Sequence, residues 1–221
     1  MNSIMETVRS VCYNVRQSAK KGLSFQKLLS KTRKEFKLHY LDLKIRSVKD
    51  KTLNEGVFYL NGWYDPDDDQ DDEPSIELLI THNFKKDIEW FPQTANRLLI
   101  EIFDTVVHEL RHQRQYRKRN FLPGSPRGAG HAEYLSDPDE IDAYSISIAT
   151  ELCRNLGKNR ALRYMHNIEA LSRFKVGGLF VSPCLGMYIN NDPKLDELVI
   201  KKLTKKIYVR LKKIDTDAIF M

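Results

Sequence analysis

The stretch Arg97 to Arg119 constrains this chain most. Leu99, Ile102, Phe103, Val106, Val107 and Leu110 fall on one side of a helix at about 100° per residue. Such a stripe needs other elements to cover it, and 221 residues are enough to build a sizeable core. The same helix carries His108-Glu109-Leu110-Arg111-His112. Histidines at i and i+4 project their rings to one side, a turn apart, and that spacing lets both bind one Zn²⁺. Glu109 then lies beside the open coordination position, where a carboxylate can take a proton from water. With six His in the chain, chance alone gives roughly one such pattern per hundred chains of this composition. On the helical wheel His108 and His112 stand roughly 170° and 210° from the centre of the apolar stripe. They therefore face either solvent or a cleft closed by another element.

A catalytic zinc takes three protein ligands and leaves a fourth position open. Two residues are candidates for the third. Glu140 begins a second strong helix, Asp137 to Cys153, with Asp137 as N-cap and Pro138 at the first helical position. Ala143 and Ser147 share its side, and such small residues permit close approach of a neighbour. The plain alternative for Glu140 is the third position of a capping box with Asp137. His131, in Gly130-His131-Ala132-Glu133, is the other candidate ligand. It is alternatively an oxyanion donor, a role open also to Tyr134. Asp137, Asp139 and Asp142 are candidates to orient the histidines, or simply favour the helix start.

Around these helices the periodicity alternates between helix and strand. Met1 to Ser18 and Ser24 to Tyr40 read as amphipathic helices, the second capped by Ser24. Leu41 to Val48, Gly56 to Tyr64 and Ser75 to Thr81 read as strands, with an Asn-Gly turn signal inside the second. Asp65 to Glu73 holds seven acidic residues in nine and is expected to be a loop, because close carboxylates repel. Phe121 to Gly130 is Pro- and Gly-rich and reads as a loop. Asn159 to Phe174 reads as helical, and Val176 to Tyr188 as mixed. Pro193 to Ile214 reads as a basic amphipathic helix with Leu195, Leu198, Leu203, Ile207, Leu211 and Ile214 inward. The expected fold is α+β: a single domain over 1–221, with a small antiparallel or mixed sheet packed on the His108–His112 helix and a mostly helical C-terminal part.

Cysteine supplies only Cys12, Cys153 and Cys184, which excludes a disulfide scaffold and makes the cytoplasm the default location. No apolar run approaches the roughly 20 residues of a membrane span, and Met1 to Lys21 lacks a secretory pattern, so no membrane partner is expected. The net charge of +6 conceals basic clusters at Lys27 to Lys51, Arg111 to Arg119 and Lys201 to Lys213. These are either solvated helix faces or contacts to nucleic acid.

At His108-Glu109-x-x-His112 and Glu140-Ile141-Asp142-Ala143 the chain resembles the zincin metallopeptidases, and among them the gluzincins. The resemblance covers about Arg97 to Cys153. It implies His108, His112 and Glu140 as zinc ligands, Glu109 as general base, and a protein or peptide substrate. It also implies an edge strand beside the helix that binds extended substrate by strand addition, for which Ser75 to Thr81 is the expected element. Tyr134 to Tyr144 is similar to small peptidases encoded by tailed phages, which implies virion assembly partners and a virion location. A SprT-like, DNA-associated protease is the rival relative, with His131 as third ligand and Arg114, Arg117 and Arg119 on DNA. A structural or binding protein with a stabilising metal is the alternative from another class.

Overall fold

The computed structural model describes residues 2–20, 22–41, 43–71, 73–84, 89–90, 92–122, 130–190 and 195–220. The fold is α+β, as expected. Contacts divide the chain into two compact units, 1–114 with 220–221 and 115–219.

The first unit opens with α1 (Asn2–Ala19), a short strand β1 (Leu23–Ser24) and α2 (Phe25–Leu38). Ser24 caps α2 through its hydroxyl, which accepts from the Lys27 amide. Three longer strands follow: β2 (Leu43–Lys49), β3 (Phe58–Tyr64) and β4 (Ile76–His82), with the short helix α3 (Pro66–Gln70) before the last. They form a mixed sheet in the order β2-β4-β3, with β2 parallel and β3 antiparallel to β4. A second pairing joins β1 to β5 (Glu89–Trp90). The helix α4 (Pro92–Lys118) runs 27 residues and crosses the division between the units.

The stripe of α4 enters the core as its periodicity predicts. Leu98, Leu99, Ile102, Phe103 and Val106 are fully buried, together with Val8, Val11 and Val15 of α1, Leu28 and Leu29 of α2, and Leu78 and Ile80 of β4. Each such side chain stabilises the fold by about 1.5–3 kcal/mol relative to exposure. Arg33 of α2 reaches the Ile45 carbonyl of β2 with two of its nitrogens, at 3.1 and 2.6 Å, fixing the sheet's parallel edge.

The second unit is nearly all helix. It contains the short α5 (His131–Ser136), α6 (Pro138–Leu156), α7 (Lys158–Tyr164), α8 (Ile168–Arg173), α9 (Pro183–Asn190) and α10 (Glu197–Lys213). A two-residue hairpin, β6 (Lys175–Val176) and β7 (Leu179–Phe180), turns at Gly177 and Gly178. Their φ values of 59° and 85° are those of the hairpin turn that glycine permits. Helix α6 is buried on most of its circumference, and α10 and α9 pack on it. Its acids find local partners. Asp142 accepts from Lys206 and Arg210 of α10, both at 2.8 Å. Glu151 accepts from the Ser182 hydroxyl at 2.5 Å and the Cys184 amide at 3.3 Å, at the start of α9.

Several expectations are corrected. Within the acidic stretch, Pro66–Gln70 is a short helix rather than loop. Asp65 caps it by accepting from the Asp67 amide, Pro66 opens it, and negative side chains suit a helix start. Lys44 neutralises Asp68 at 2.7 Å. Asn61 and Gly62 make no turn: both pair with β4 in unbroken register. Ser75 to Thr81 supplies the central strand, so among the described residues the sheet edges are β2 and β3. Asn159 to Phe174 is two helices, because Asn167 caps a new one by accepting from the Ala170 amide. Leu198 is exposed, since the inward stripe of α10 is Val199, Leu203, Ile207 and Leu211. Asp72, the loop residues 123–129 and the helix start expected at 193–194 lie outside the described residues.

His82 closes β4 opposite Lys49, with its ring stacked on Phe84 and edge-on to Phe25. Its Nδ1 accepts from the Phe84 amide at 3.2 Å. Burial, and then the Lys49 charge, hold the imidazole below its ordinary pKa. The unfolded chain thus binds this proton more readily than the folded one. The His82 contribution to stability is complete above about pH 6.5 and is lost as pH falls toward the depressed folded value. Urea midpoints measured at about pH 7.5 and about pH 5.5 should therefore differ less in a His82→Gln variant than in the parent. Equal differences would rule out His82 as a source of the pH dependence.

Candidate metal centre

Helix α4 places His108 and His112 one turn apart, and both are buried, 8% and 4% exposed. The wheel left solvent and a closed cleft as alternatives, and the burial excludes bulk solvent. Their Nε2 atoms stand 3.1 Å apart, with ring centroids at 4.9 Å and planes at 68°. Two nitrogens bound at about 2.0–2.1 Å to a tetrahedral ion are about 3.3 Å apart, so the spacing is that of a ligand pair. Glu109 is buried as well, at 7%.

The segment of α4 that carries these residues is held by contacts within the first unit. Gly62 of β3 lies so close that an added Cβ would stand 2.3 Å from Thr105 Cγ2 and 3.3 Å from Glu109 Cγ. One residue past His112, Gln113 donates to Asp69 at 3.0 Å and to the Ser75 hydroxyl at 3.1 Å. The Tyr64 hydroxyl donates to the other Asp69 oxygen at 2.9 Å. Asp69 is thus the one acid of α3 turned inward, buried at 8%, and it ties the acidic helix to α4.

Glu140 sits in the first turn of α6, 3% exposed. The cap is made by Asp137, which accepts from the Asp139 amide at 2.7 Å. Tyr134 of α5 sets its ring edge-on to Tyr144, with centroids 6.5 Å apart. Its phenol is pushed far above the ordinary range, first by burial and then by the neighbouring Tyr144 and Glu140. It therefore stays a donor. Tyr188 packs on Tyr144 at 5.3 Å, and its buried hydroxyl has no hydrogen-bond partner among the described residues.

His108, His112 and Glu140 each offer a ligand atom, and these atoms all lie within 4.8 Å of one another. Among the described residues this is the one such group of His, Cys, Asp or Glu. Two imidazoles and a carboxylate suit Zn²⁺ in both donor type and number. His131, the other candidate, opens α5 exposed and is not in the group. Asp139 pairs with Arg119 through two bonds of 3.0 and 2.7 Å, which engages a cation expected to be available for DNA. Gly62, Asp69, Gln113, Tyr144 and Tyr188 were not marked by the sequence. Gly62 resembled a turn, Asp69 appeared only within the acidic run, and Tyr144 only within the Tyr134 to Tyr144 stretch.

Substituting Gly62 tests how α4 is held. Gly62→Ala must push β3 off Thr105, at a cost of about 1–3 kcal/mol for an overpacked contact. Adding Thr105→Ser removes the clashing methyl and should restore most of the loss. Chemical denaturation of both variants reads this out, and an unchanged midpoint in Gly62→Ala would show that the close approach is not needed.

No family model, curated protein or solved structure matches the chain.

Proposed function

We propose that the chain is a zinc-dependent hydrolase of peptide bonds, with His108, His112 and Glu140 as the metal ligands and Glu109 as the general base. The observation that carries this reading is the buried group of three ligand atoms within 4.8 Å, with a glutamate next to the first histidine. A bound Zn²⁺ supplies Lewis acidity, which acidifies water and polarises a carbonyl. The rest falls to the chain. Glu109 accepts the proton of the attacking water and returns it to the leaving amine. Tyr134, whose phenol is kept protonated by burial and by the neighbouring Tyr144 and Glu140, is the neutral group that would orient that carboxylate. The strand that touches Glu109 is β3, through Gly62, and β3 is a sheet edge. An extended peptide is the substrate shape that pairs with such an edge.

A second reading has an observation in its favour. All three ligands and Glu109 are less than a tenth exposed, as suits an ion that stabilises the fold without catalysis. Virion partners remain part of that reading, since a stabilised binding protein needs no substrate.

The two readings separate in one set of measurements. Metal analysis of the purified protein should find about one zinc per chain, lost in His108→Ala and in His112→Ala. Glu109→Gln should retain the metal and lose peptide hydrolysis by about 100-fold or more. Equal hydrolysis by parent and Glu109→Gln at matched metal content would eliminate the catalytic mechanism. Zinc that raises Tm in a protein without hydrolysis would establish the stabilising role.

A further inference from the structure

A different region of the second unit combines features that the metal centre does not use. A cavity of about 550 Å³ is lined by Lys158, Asn159, Arg160, Arg163 and Thr216, together with Leu156 and Gly157. No carboxylate lines it. The nearest acids in sequence, Asp215 and Asp217, flank Thr216, and Asp215 accepts from the Asp217 amide. Lys158 is fixed by donating to the Ile214 carbonyl at 2.9 Å. Arg160 and Arg163 are exposed, and neither is engaged by a carboxylate among the described residues.

Next to Arg163 stands Tyr164, whose ring packs against Phe174 at 5.8 Å. Both rings are 43% exposed. Phe174 leads into the β6-β7 hairpin, where Lys175 lies over the Phe180 ring at 4.5 Å. Across 158–180 the cations Lys158, Arg160, Arg163, Arg173 and Lys175 face one acid, Glu169. Half-exposed aromatic faces set among cations that no carboxylate engages among the described residues are what unpaired bases and their phosphates require together: the rings stack with bases and the cations neutralise the backbone.

We propose that the cavity and the adjoining Tyr164–Phe174 pair form a binding site for single-stranded nucleic acid. Phosphates enter the cavity at Arg160 and Arg163, and bases stack on the exposed rings. A duplex keeps its bases stacked internally and offers these rings nothing. A second copy of the chain would set this cationic surface against itself. A lipid surface would need a larger apolar face than the hairpin tip, whose only aliphatic side chains are Val176 and Leu179. The proposal is independent of the metal centre.

The test is fluorescence anisotropy of the full chain with a labelled oligothymidylate of about a dozen nucleotides, at about 50 and about 200 mM salt. Arg160→Gln combined with Arg163→Gln should weaken binding about 10-fold or more. It should also flatten the log–log salt slope by about 1.4, at roughly 0.7 per lost single-strand phosphate contact. Tyr164→Ala should weaken binding about 5-fold or more, through lost stacking. Lys202→Gln with Lys205→Gln, exposed cations of α10, should leave it unchanged. All substituted side chains are solvent-facing, and circular dichroism melts confirm folding. Binding unaffected by the arginine pair, equal weakening by the lysine pair, or a duplex bound as tightly would each overturn the proposal. So would capture on anionic phospholipid vesicles with no binding to the oligonucleotide.

Discussion

Two imidazole nitrogens held 3.1 Å apart beneath the surface set the terms for the rest of the structure. If both rings are neutral, one must donate and the other accept. A divalent cation satisfies both acceptors at once, and its ligands must be deprotonated to hold it. The Glu140 carboxylate offers a third ligand atom within 4.8 Å of both nitrogens. The chemistry proposed for the chain follows from that one spacing on α4.

A spacing of this kind is only as good as the helix that holds it. The apolar stripe alone fixes α4 along its buried face and leaves the histidine face undetermined. Three other contacts settle that face. Gly62 lets β3 lie against Thr105 and Glu109 without a side chain between them. Gln113 is anchored by Asp69 and Ser75. Tyr64, at the end of β3, holds the second oxygen of Asp69. The sheet thus contributes a close backbone approach and a polar clasp on either side of the His108–His112 turn. Side chains locked by neighbours of this kind are what precise ligand geometry demands.

Most of the helical architecture was legible in the sequence because it rests on periodicity and caps. Ser24, Asp137 and the stripe of α4 act as their spacing predicts. What escaped was decided by tertiary partners. Seven acids in nine residues repel in isolation, yet Lys44 neutralises Asp68 and a cluster of neutral donors takes in Asp69. Asn61-Gly62 has the composition of a turn, but β4 pairs with both residues and the glycine serves a close approach instead. The strand Ser75 to Thr81 is apolar enough for any position in a sheet, and its central place depends on a parallel partner far earlier in the chain. At the site, the histidine pair and Glu140 were visible by residue type and helical position. Tyr144 and Tyr188 were not, because aromatic residues in a helix read as core.

The acids of α6 show how one helix assigns different work to like side chains. Asp137 caps the helix, and Asp139 and Asp142 meet arginine and lysine directly, so their charges are balanced within the second unit. Glu151 serves the start of another helix. Near Glu140 stands the Tyr134 phenol, which remains neutral because burial keeps its proton in place. A phenol orients a carboxylate without cancelling its charge, whereas a lysine in its place would compete with a cation for that charge. A neutral donor is therefore the partner expected for a carboxylate whose negative charge is to be given to a metal ion.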